Sequence, residues 1–355
     1  TKSVLQSNRL VLLILAYLAF IAIGLADGLL GVAWPSIRQD FNLPLDALGG
    51  LLFTVMSGYF LASFFSGRIL AWLGAGRMVM LACLLMAAGL LGYTLAPAWW
   101  VIILLGFLVG SGVGAIDAAM NTYVAAHFKA NFMQWLHASY GVGVTFGPLI
   151  MTASLSLFQS WRLGYRVVVI AAVLMALTFF ATLRRWEDGS AGGQQQAAEK
   201  TPFSKTLASP RVWLSISLFF LHTGAELTLG NWAYTLLTES RGVEPALAGL
   251  WAGSFWLMFT AGRILAGLYT RRVKTHTLVR VCLLMALSGA LLLGWNPAPG
   301  VSLLGVALSG FAIAPIYPAL VSGTGARVGQ RHTANTIGMQ VGSAGLGGAV
   351  IPALA

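Results

Sequence analysis

Three acidic side chains lie inside long apolar stretches of this 355-residue chain: Asp27, Asp117 and Glu226. An ionised carboxylate at the centre of a bilayer costs about 2.5–3.5 kcal/mol on insertion scales, so such a group normally faces a hydrated cavity or a partner. We expect no Lys or Arg deep in these stretches to neutralise the acids. The sequence therefore predicts carboxyl groups that take up protons near neutral pH. Asp117 is the first candidate for the coupling proton, followed by Asp27 and Glu226. The alternative is that each acid only accepts hydrogen bonds from neighbouring helices.

Polar side chains near these acids are candidates for contact with a small polar solute. Asn121 follows Asp117 by one helical turn and shares its face, so the pair offers two acceptors and an amide donor. A polyol fits such groups better than an apolar drug does. The other candidates are isolated polar residues within apolar runs, and the alternative for each is a hydrogen-bonded packing role: His137, His222, Asn231 and Gln340.

Three aromatic residues are candidates for packing against the apolar face of a solute ring: Trp232, Trp256 and Tyr317. Solute sites combine apolar walls with a few directional polar groups. Tyr317 stands between Pro315 and Pro318, so we expect its helix to be kinked or unwound there. Broken helices often mark the sites of membrane transporters, although plain packing accounts for any single aromatic equally well.

The elements that position these residues are apolar helices. The chain is 58% hydrophobic and 9% charged, a composition that requires lipid as its solvent. A spanning helix needs about 20 mostly apolar residues. Eleven runs qualify: 10–33, 47–72, 77–96, 99–126, 133–157, 165–184, 211–238, 246–270, 277–295, 300–322 and 335–355.

A long-period repeat divides these spans into two halves. Gly-Arg-Ile-Leu-Ala occurs at 67–71 and again at 262–266, and Cys-Leu-Leu-Met-Ala occurs at 83–87 and again at 282–286. Two copies of one unit predict two pseudo-symmetric helical bundles around a shared cavity. We expect an all-α polytopic membrane protein with an N-terminal six-helix bundle at 1–183, a cytoplasmic linker at 184–210 and a C-terminal bundle at 211–355. The C-terminal bundle has five spans, so we expect the complete protein to carry a twelfth helix.

The basic residues indicate how the chain is oriented. Of 21 Lys and Arg residues, 17 fall on the side of the N-terminus and the linker if the spans alternate. By the positive-inside rule that side is cytoplasmic. The sequence predicts a multi-pass monomer in a bacterial-type plasma (inner) membrane. The four basic residues on the other side are Arg38, Arg162, Arg166 and Arg241.

Several other functions lack their usual signals. No basic patch is interleaved with stacking aromatics, which argues against nucleic acid as a partner. No Walker loop, nucleophile elbow or His-Glu-x-x-His helix is present, so we expect neither an enzyme nor a protein with a cofactor. Cys83 and Cys282 occupy equivalent places in the two repeats and have the pattern of packing residues, with no metal or disulfide site indicated.

Four segments resemble the fucose:proton symporter-like group of the major facilitator superfamily. They are 114–121, with its Asp117 and Asn121; 136–148, with His137 and Gly147-Pro148; 219–226, with His222 and Glu226; and 310–318. The resemblance implies two six-helix bundles and proton-coupled sugar symport by alternating access. It also implies that acids at the places of Asp27 and Asp117 couple protons and contact sugar.

The sequence departs from the superfamily at its usual gate. The loop after the second helix commonly carries an acid four positions after the glycine, where this chain has Ala71 and, in the second half, Ala266. The family's acid-to-base latch therefore cannot be present intact. The gating candidates that remain are Arg68, Arg77 and Arg263.

Two other functions stay open on sequence grounds. The segment 143–148, Gly-Val-Thr-Phe-Gly-Pro, is compatible with the flexible fifth helix of antiporters, so a proton-coupled exporter of drugs or other amphiphiles is an alternative. A receptor that binds a solute without moving it is a more remote one. The sequence does not distinguish protons from sodium as the coupling ion, nor uptake from export.

Overall fold

A computed structural model describes residues 2–186, 201–296 and 298–354, and within these ranges the chain is helical and contains no strand. A backbone in lipid has no water to bond, so its polar groups must be satisfied within each segment, as a helix does. Residues 187–200, the central part of the expected linker, lie outside the described ranges.

The first half contains six long helices, with a short 3₁₀ turn at Leu45–Ala47 between the first two. Their bounds are α1 Lys2–Asp40, α2 Leu48–Phe64, α3 Ser66–Leu95, α4 Trp99–His127, α5 Ala130–Phe158 and α6 Trp161–Ala181.

The second half begins with a short helix before its first long one, and α8 below continues as a π-helical turn at Leu236–Ser240. The bounds are α7 Phe203–Leu207, α8 Pro210–Thr235, α9 Pro245–Tyr269, α10 Thr275–Trp295, α11 Pro299–Ile313, α12 Ile316–Ser322, α13 Thr324–Val328 and α14 Thr333–Leu354.

These helices confirm the expected all-α polytopic class. Within the described ranges, eight are long and apolar enough to cross a membrane, and α2 is a shorter apolar helix. The expected second span, 47–72, is divided at Phe65 between α2 and the start of α3. The expected break beside Tyr317 is confirmed, since α11 ends at Ile313 and α12 begins at Ile316.

The two halves repeat the same pattern of helix packing. In the first half α1 packs along α5 and α2 along α4; in the second half α8 packs along α14 and α9 along α11. Glycine makes the same close approach in both: a Cβ on Gly110 of α4 would meet the Val55 carbonyl oxygen of α2, and one on Gly310 of α11 would meet the Phe255 carbonyl oxygen of α9. The sequence repeat is thus a repeat of structure.

The halves meet most extensively through two helix pairs, α2 with α14 and α5 with α9. We call the end of the molecule where α6 finishes and α8 begins the linker end, and the opposite end the far end. At the linker end Gly67 lies against Asn335, Gly338 lies against Ser66, and Gly267 lies against the Trp135 ring. The halves are therefore in close contact at the linker end.

Candidate functional site

The candidate site begins at the carboxylate of Asp117, in the middle of α4, where the first half faces the second. Tyr59 of α2 donates its hydroxyl to Asp117 Oδ2 at 2.5 Å. Asn121 donates its amide to Asp117 Oδ1 at 2.6 Å. Both carboxylate oxygens thus have a donor, and the one-turn spacing that places Asn121 on the face of Asp117 produces the second contact.

The hydrogen-bond chain continues from Asn121 across to α5. His137 Nε2 lies 3.0 Å from Asn121 Oδ1, a separation at which a protonated Nε2 donates. The His137 ring meets the Phe20 ring edge-on, with centroids 5.4 Å apart, and meets the Tyr317 ring at 5.1 Å. The imidazole therefore joins the polar groups of the first half to an aromatic side chain of the second.

Asp27 lies on α1 beside this network. Tyr140 of α5 donates its hydroxyl to Asp27 Oδ2 at 2.9 Å, and the charges of Asp27 and Asp117 act on each other. The Asp27 side chain is exposed, and its two polar neighbours belong to helices that face the other half. This placement puts Asp27 on an open part of the interface between the halves.

The second half contributes Glu226, His222 and Arg263. Glu226 of α8 is only 8% exposed, and its Oε2 lies 3.5 Å from His222 Nε2 on the preceding turn. Arg263 of α9 is also 8% exposed, lies over the Phe259 ring at 4.1 Å, and interacts electrostatically with Asp117 and Glu226.

The position of Arg263 corrects two expectations from sequence. The expectation that no Lys or Arg lies deep in a span is wrong, because Arg263 is buried within α9 and interacts electrostatically with carboxylates of both halves. For the same reason Arg263 belongs to the central site, whereas a gating role at the loop after its helix was expected. The sequence repeat suggests the same position for Arg263 and for Arg68, its counterpart in the first half. Arg68, however, is exposed at the linker end.

The broken helix α11–α12 supplies the aromatic side of the site. Tyr317 lies directly after the break and packs against Phe219 of α8, with ring centroids 4.8 Å apart. Gln134 of α5 donates its amide to the Pro315 carbonyl oxygen at 2.9 Å, and this oxygen also accepts from the Ala319 backbone N–H at 3.2 Å. A polar contact between the halves is thus made directly at the break.

The remaining predicted solute contacts lie apart from this network. Trp232 donates its indole N–H to the Pro352 carbonyl oxygen at 2.8 Å, and Trp256 packs on Phe255 and against Gly230. Asn231 is exposed on α8. Gln340 is fully buried, and its amide is occupied by Ser215 and Thr324, which is the arrangement of a contact between packed helices.

The other two gating candidates lie at the linker end. Arg68 lies 5.7 Å from the Phe203 ring centroid of α7, and Arg77 is exposed just beyond the bend of α3 at Gly74. Cys83 and Cys282 are buried free thiols. No group of three or more His, Cys, Asp or Glu side chains suited to a metal ion occurs in the described part of the chain.

Sequence reasoning missed three residues of the site: Tyr59, Tyr140 and Gln134. Tyrosines are common in membrane helices. Only their position opposite an acid in the folded protein distinguishes Tyr59 and Tyr140 from the other tyrosines. Gln134 carried a usable signal, because an amide in an apolar run is as unusual as Asn121. Its partner is the backbone carbonyl oxygen of Pro315 in the other half, and no side-chain pattern predicts a backbone partner.

Two pseudo-equivalent helical bundles with carboxylates at their interface and a broken helix define a membrane protein of the secondary-transporter type. The sequence profile of the Major Facilitator Superfamily matches residues 16–352. The chain belongs to this superfamily, whose members are transporters rather than enzymes.

Similar proteins include two with sugar transport in their names. The glucose/mannose transporter GlcP of Bacillus subtilis is 22% identical over 346 residues, which cover 94% of this chain and 84% of that protein. The sodium-dependent glucose transporter 1 of Homo sapiens is 22% identical over 345 residues, covering 86% of this chain and 65% of that protein.

Among solved structures, the crystal structure of the transporter FucP in the outward conformation superposes with a TM-score of 0.81 at 16% identity. The match covers 98% of this chain and 91% of that one. At this identity the likeness establishes the fold.

Proposed function

We propose that this protein is a secondary transporter that carries a sugar or similar polyol across the membrane by alternating access, with protons as the coupling ion. The observation that carries the proposal is the hydrogen-bonded chain from Tyr59 through Asp117 and Asn121 to His137, which ends against Tyr317. It combines acceptors, donors and an aromatic face at the interface of the two halves.

This set of groups suits a polyhydroxylated solute. Hydroxyl groups donate to carboxylate and amide oxygens and accept from amide, phenol and imidazole donors, while an aromatic ring packs on the C–H face of a sugar. Arg263 and Glu226 add a cation and an anion on the opposite side. Sugar transport in the names of GlcP and the human relative supports the same substrate class.

Asp117 is the group to which we assign the coupling proton. An ionised Asp117 accepts hydrogen bonds at both oxygens from Tyr59 and Asn121, whereas a protonated one has a hydrogen to donate. Proton binding therefore changes which hydrogen bonds the site offers to a solute. Asp27 lies within electrostatic range of Asp117 and is the second candidate, because the charge on either carboxylate acts on the other.

The test is solute-driven proton movement in proteoliposomes with an imposed pH gradient. Asp117→Asn, which resembles the protonated acid, should abolish proton-driven uptake while solute exchange between the two sides continues. The matched control is Asp46→Asn, which removes an exposed carboxylate at the far end and should leave uptake unchanged. If Asp117→Asn transports as well as the parent protein under the gradient, Asp117 does not carry the coupling proton.

The same vesicles separate the other functions. A sodium gradient that drives uptake without a pH gradient would replace protons by sodium as the coupling ion. Movement of amphiphilic dyes with no response to any sugar would identify an exporter. Solute binding without movement in either direction would identify a receptor.

We also propose that the linker end is cytoplasmic in a bacterial-type plasma membrane and that the protein is a monomer. The basic residues support this orientation, since most of those outside the spans lie at the linker end. A cysteine in place of the exposed Arg184 should react with a membrane-impermeant maleimide only after the cells are opened. Labelling in intact cells would reverse the orientation.

A further inference from the structure

A cavity of about 680 Å³ lies at the linker end, away from the central site, between the two halves. The first half contributes the start of α1 and the turn from α4 into α5, and the second half contributes the end of α9. Its basic lining residues are Arg9, His127, Lys129 and Arg271, and its others are Phe128, Asn131, Phe132 and Thr270.

Within the described residues, no acid faces this group of cations. The cavity lining contains no Asp or Glu, and the seven acids within the described ranges lie in the central site or at the far end. The other three, Glu187, Asp188 and Glu199, fall outside those ranges. Arg9, Lys129 and Arg271 therefore repel one another when the two halves are in contact at the linker end, unless an anion lies among them.

The cavity also has a buried polar group of its own. Asn131 is 3% exposed and lines the cavity, and the charge of Arg9 acts on His127 at the end of α4. A ligand with several acceptor oxygens and a negative charge matches these donors. Phosphate is the common biological group with both properties, and Arg and Lys are its usual partners.

Apolar surface continues from the cavity along the membrane-spanning helices. Next to Arg9, the exposed residues Leu10, Ile14 and Leu18 follow one another by four positions along α1. On α9, the exposed Leu268 lies one turn before Arg271. A ligand with a phosphate at the cavity and hydrocarbon chains along these apolar side chains would cover both the basic cavity and the apolar surface beside it. An anionic phospholipid has this form.

We propose that this cavity binds the phosphate of an anionic phospholipid headgroup, and that the bound headgroup favours close contact of the two halves at the linker end. The phosphate lies between Lys129 of the first half and Arg271 of the second, and so supplies a negative charge that the described residues of the cavity lining lack. A ligand that binds one arrangement of the halves better than the other shifts the population toward it.

The test measures retention of phosphatidylglycerol by the detergent-solubilised protein in native mass spectrometry. The cavity variant combines Arg9→Gln, Lys129→Gln and Arg271→Gln, and its retention should fall by roughly fivefold for each charge removed. The matched control combines Arg184→Gln, Lys274→Gln and Arg280→Gln, which removes three exposed charges at the same end but outside the cavity. Thermal unfolding of both variants checks that they are folded.

Four results would overturn the proposal. Equal loss of phosphatidylglycerol from the cavity variant and the control variant would show a general surface charge effect, and equal retention of phosphatidylglycerol and phosphatidylcholine by the parent protein would show no preference for an anionic headgroup. Displacement of the lipid by millimolar inorganic phosphate would make a free anion the ligand. Increased lipid retention when Glu187, Asp188 and Glu199 are replaced by amides would make these acids the occupant.

Hydrogen–deuterium exchange in nanodiscs tests the effect on the contact between the halves. Residues 333–340 of α14 contact α2 and α3 at the linker end, away from the cavity. Phosphatidylglycerol should slow their exchange in the parent protein and in the control variant, but not in the cavity variant. Slower exchange in all three proteins would separate closure from this cavity and contradict the proposal.

Discussion

At the scale of single residues, the site depends on which side chains face Asp117. Tyr59 belongs to α2 and Asn121 to the same helix as the acid, so the carboxylate is held from two directions. A carboxylate held in this way has a defined orientation toward the interface between the halves. Orientation of this kind is what a directional hydrogen-bonding site requires.

The tyrosine contact leads to a prediction about affinity. Tyr59→Phe removes the donor to Asp117 while keeping the ring, and hydrogen bonds to charged groups contribute about 1.5–3 kcal/mol. We expect the KM for the transported solute to rise at least roughly tenfold, measured as initial uptake in proteoliposomes.

Tyr93→Phe is the matched control. The Tyr93 hydroxyl is buried and, within the described ranges, has no hydrogen-bond partner, so its removal should leave both KM and stability nearly unchanged. Equal effects of the two substitutions on KM would show that the Tyr59 hydroxyl has no special relation to the site.

At the scale of helices, close packing of α4 on α2 and of α11 on α9 fixes where Asp117 and the broken helix lie. Gly110 and Gly310 allow this approach, because at each position a side chain would strike a backbone carbonyl of the facing helix. Small residues at helix contacts are the usual solution in membranes, where hydrophobicity gives no force between helices.

These glycines give a prediction about stability. Gly110→Ala and Gly310→Ala should each lower the stability of the purified protein by about 1–3 kcal/mol, since overpacking forces the helices apart. The change would be measured as the midpoint of thermal unfolding in detergent.

Gly253→Ala in α9 is the control for both. A Cβ there has no atom within 4 Å, so the substitution should be neutral or stabilise the helix by up to about 1 kcal/mol. If Gly253→Ala destabilises as much as the other two, the effect comes from loss of glycine flexibility and the packing explanation fails.

At the scale of the whole molecule, the two halves touch at the linker end through glycines. Gly338 of α14 lies against Ser66, and Gly67 lies against Asn335. A transporter that alternates must form and break this contact in each cycle. At position 71, where the superfamily usually has an acid, this chain has alanine, so the acid-to-base latch is not intact. Close packing of the two halves is the contact that remains to close the linker end.

A larger side chain at this contact should therefore block the cycle. We expect Gly338→Val to reduce uptake by more than tenfold with little change in unfolding temperature, because the wedge opposes closure rather than folding. Uptake in proteoliposomes and exchange of residues 333–340 measure the two effects, and exchange should become faster. Gly253→Val places the same change in open space and should transport normally; normal transport by Gly338→Val would show that this contact does not limit the cycle.

The sequence by itself determined the membrane class, the two-fold repeat, the break beside Tyr317 and the shared helix face of Asp117 and Asn121. Each of these follows from a property that can be read from the sequence: the length of the apolar runs, a repeated string, the spacing of two prolines, or two residues one helical turn apart. Only the tertiary structure decided that Arg263 is buried within electrostatic range of acids from both halves and that Gln340 is held within a helix contact. It also decided that Tyr59 bonds Asp117 and that Tyr140 bonds Asp27. Those relations join residues on different helices, so they depend on how each helix is rotated about its own axis. Glycine packing sets this rotation, and it produces no hydrophobic periodicity in a chain that is apolar on every face.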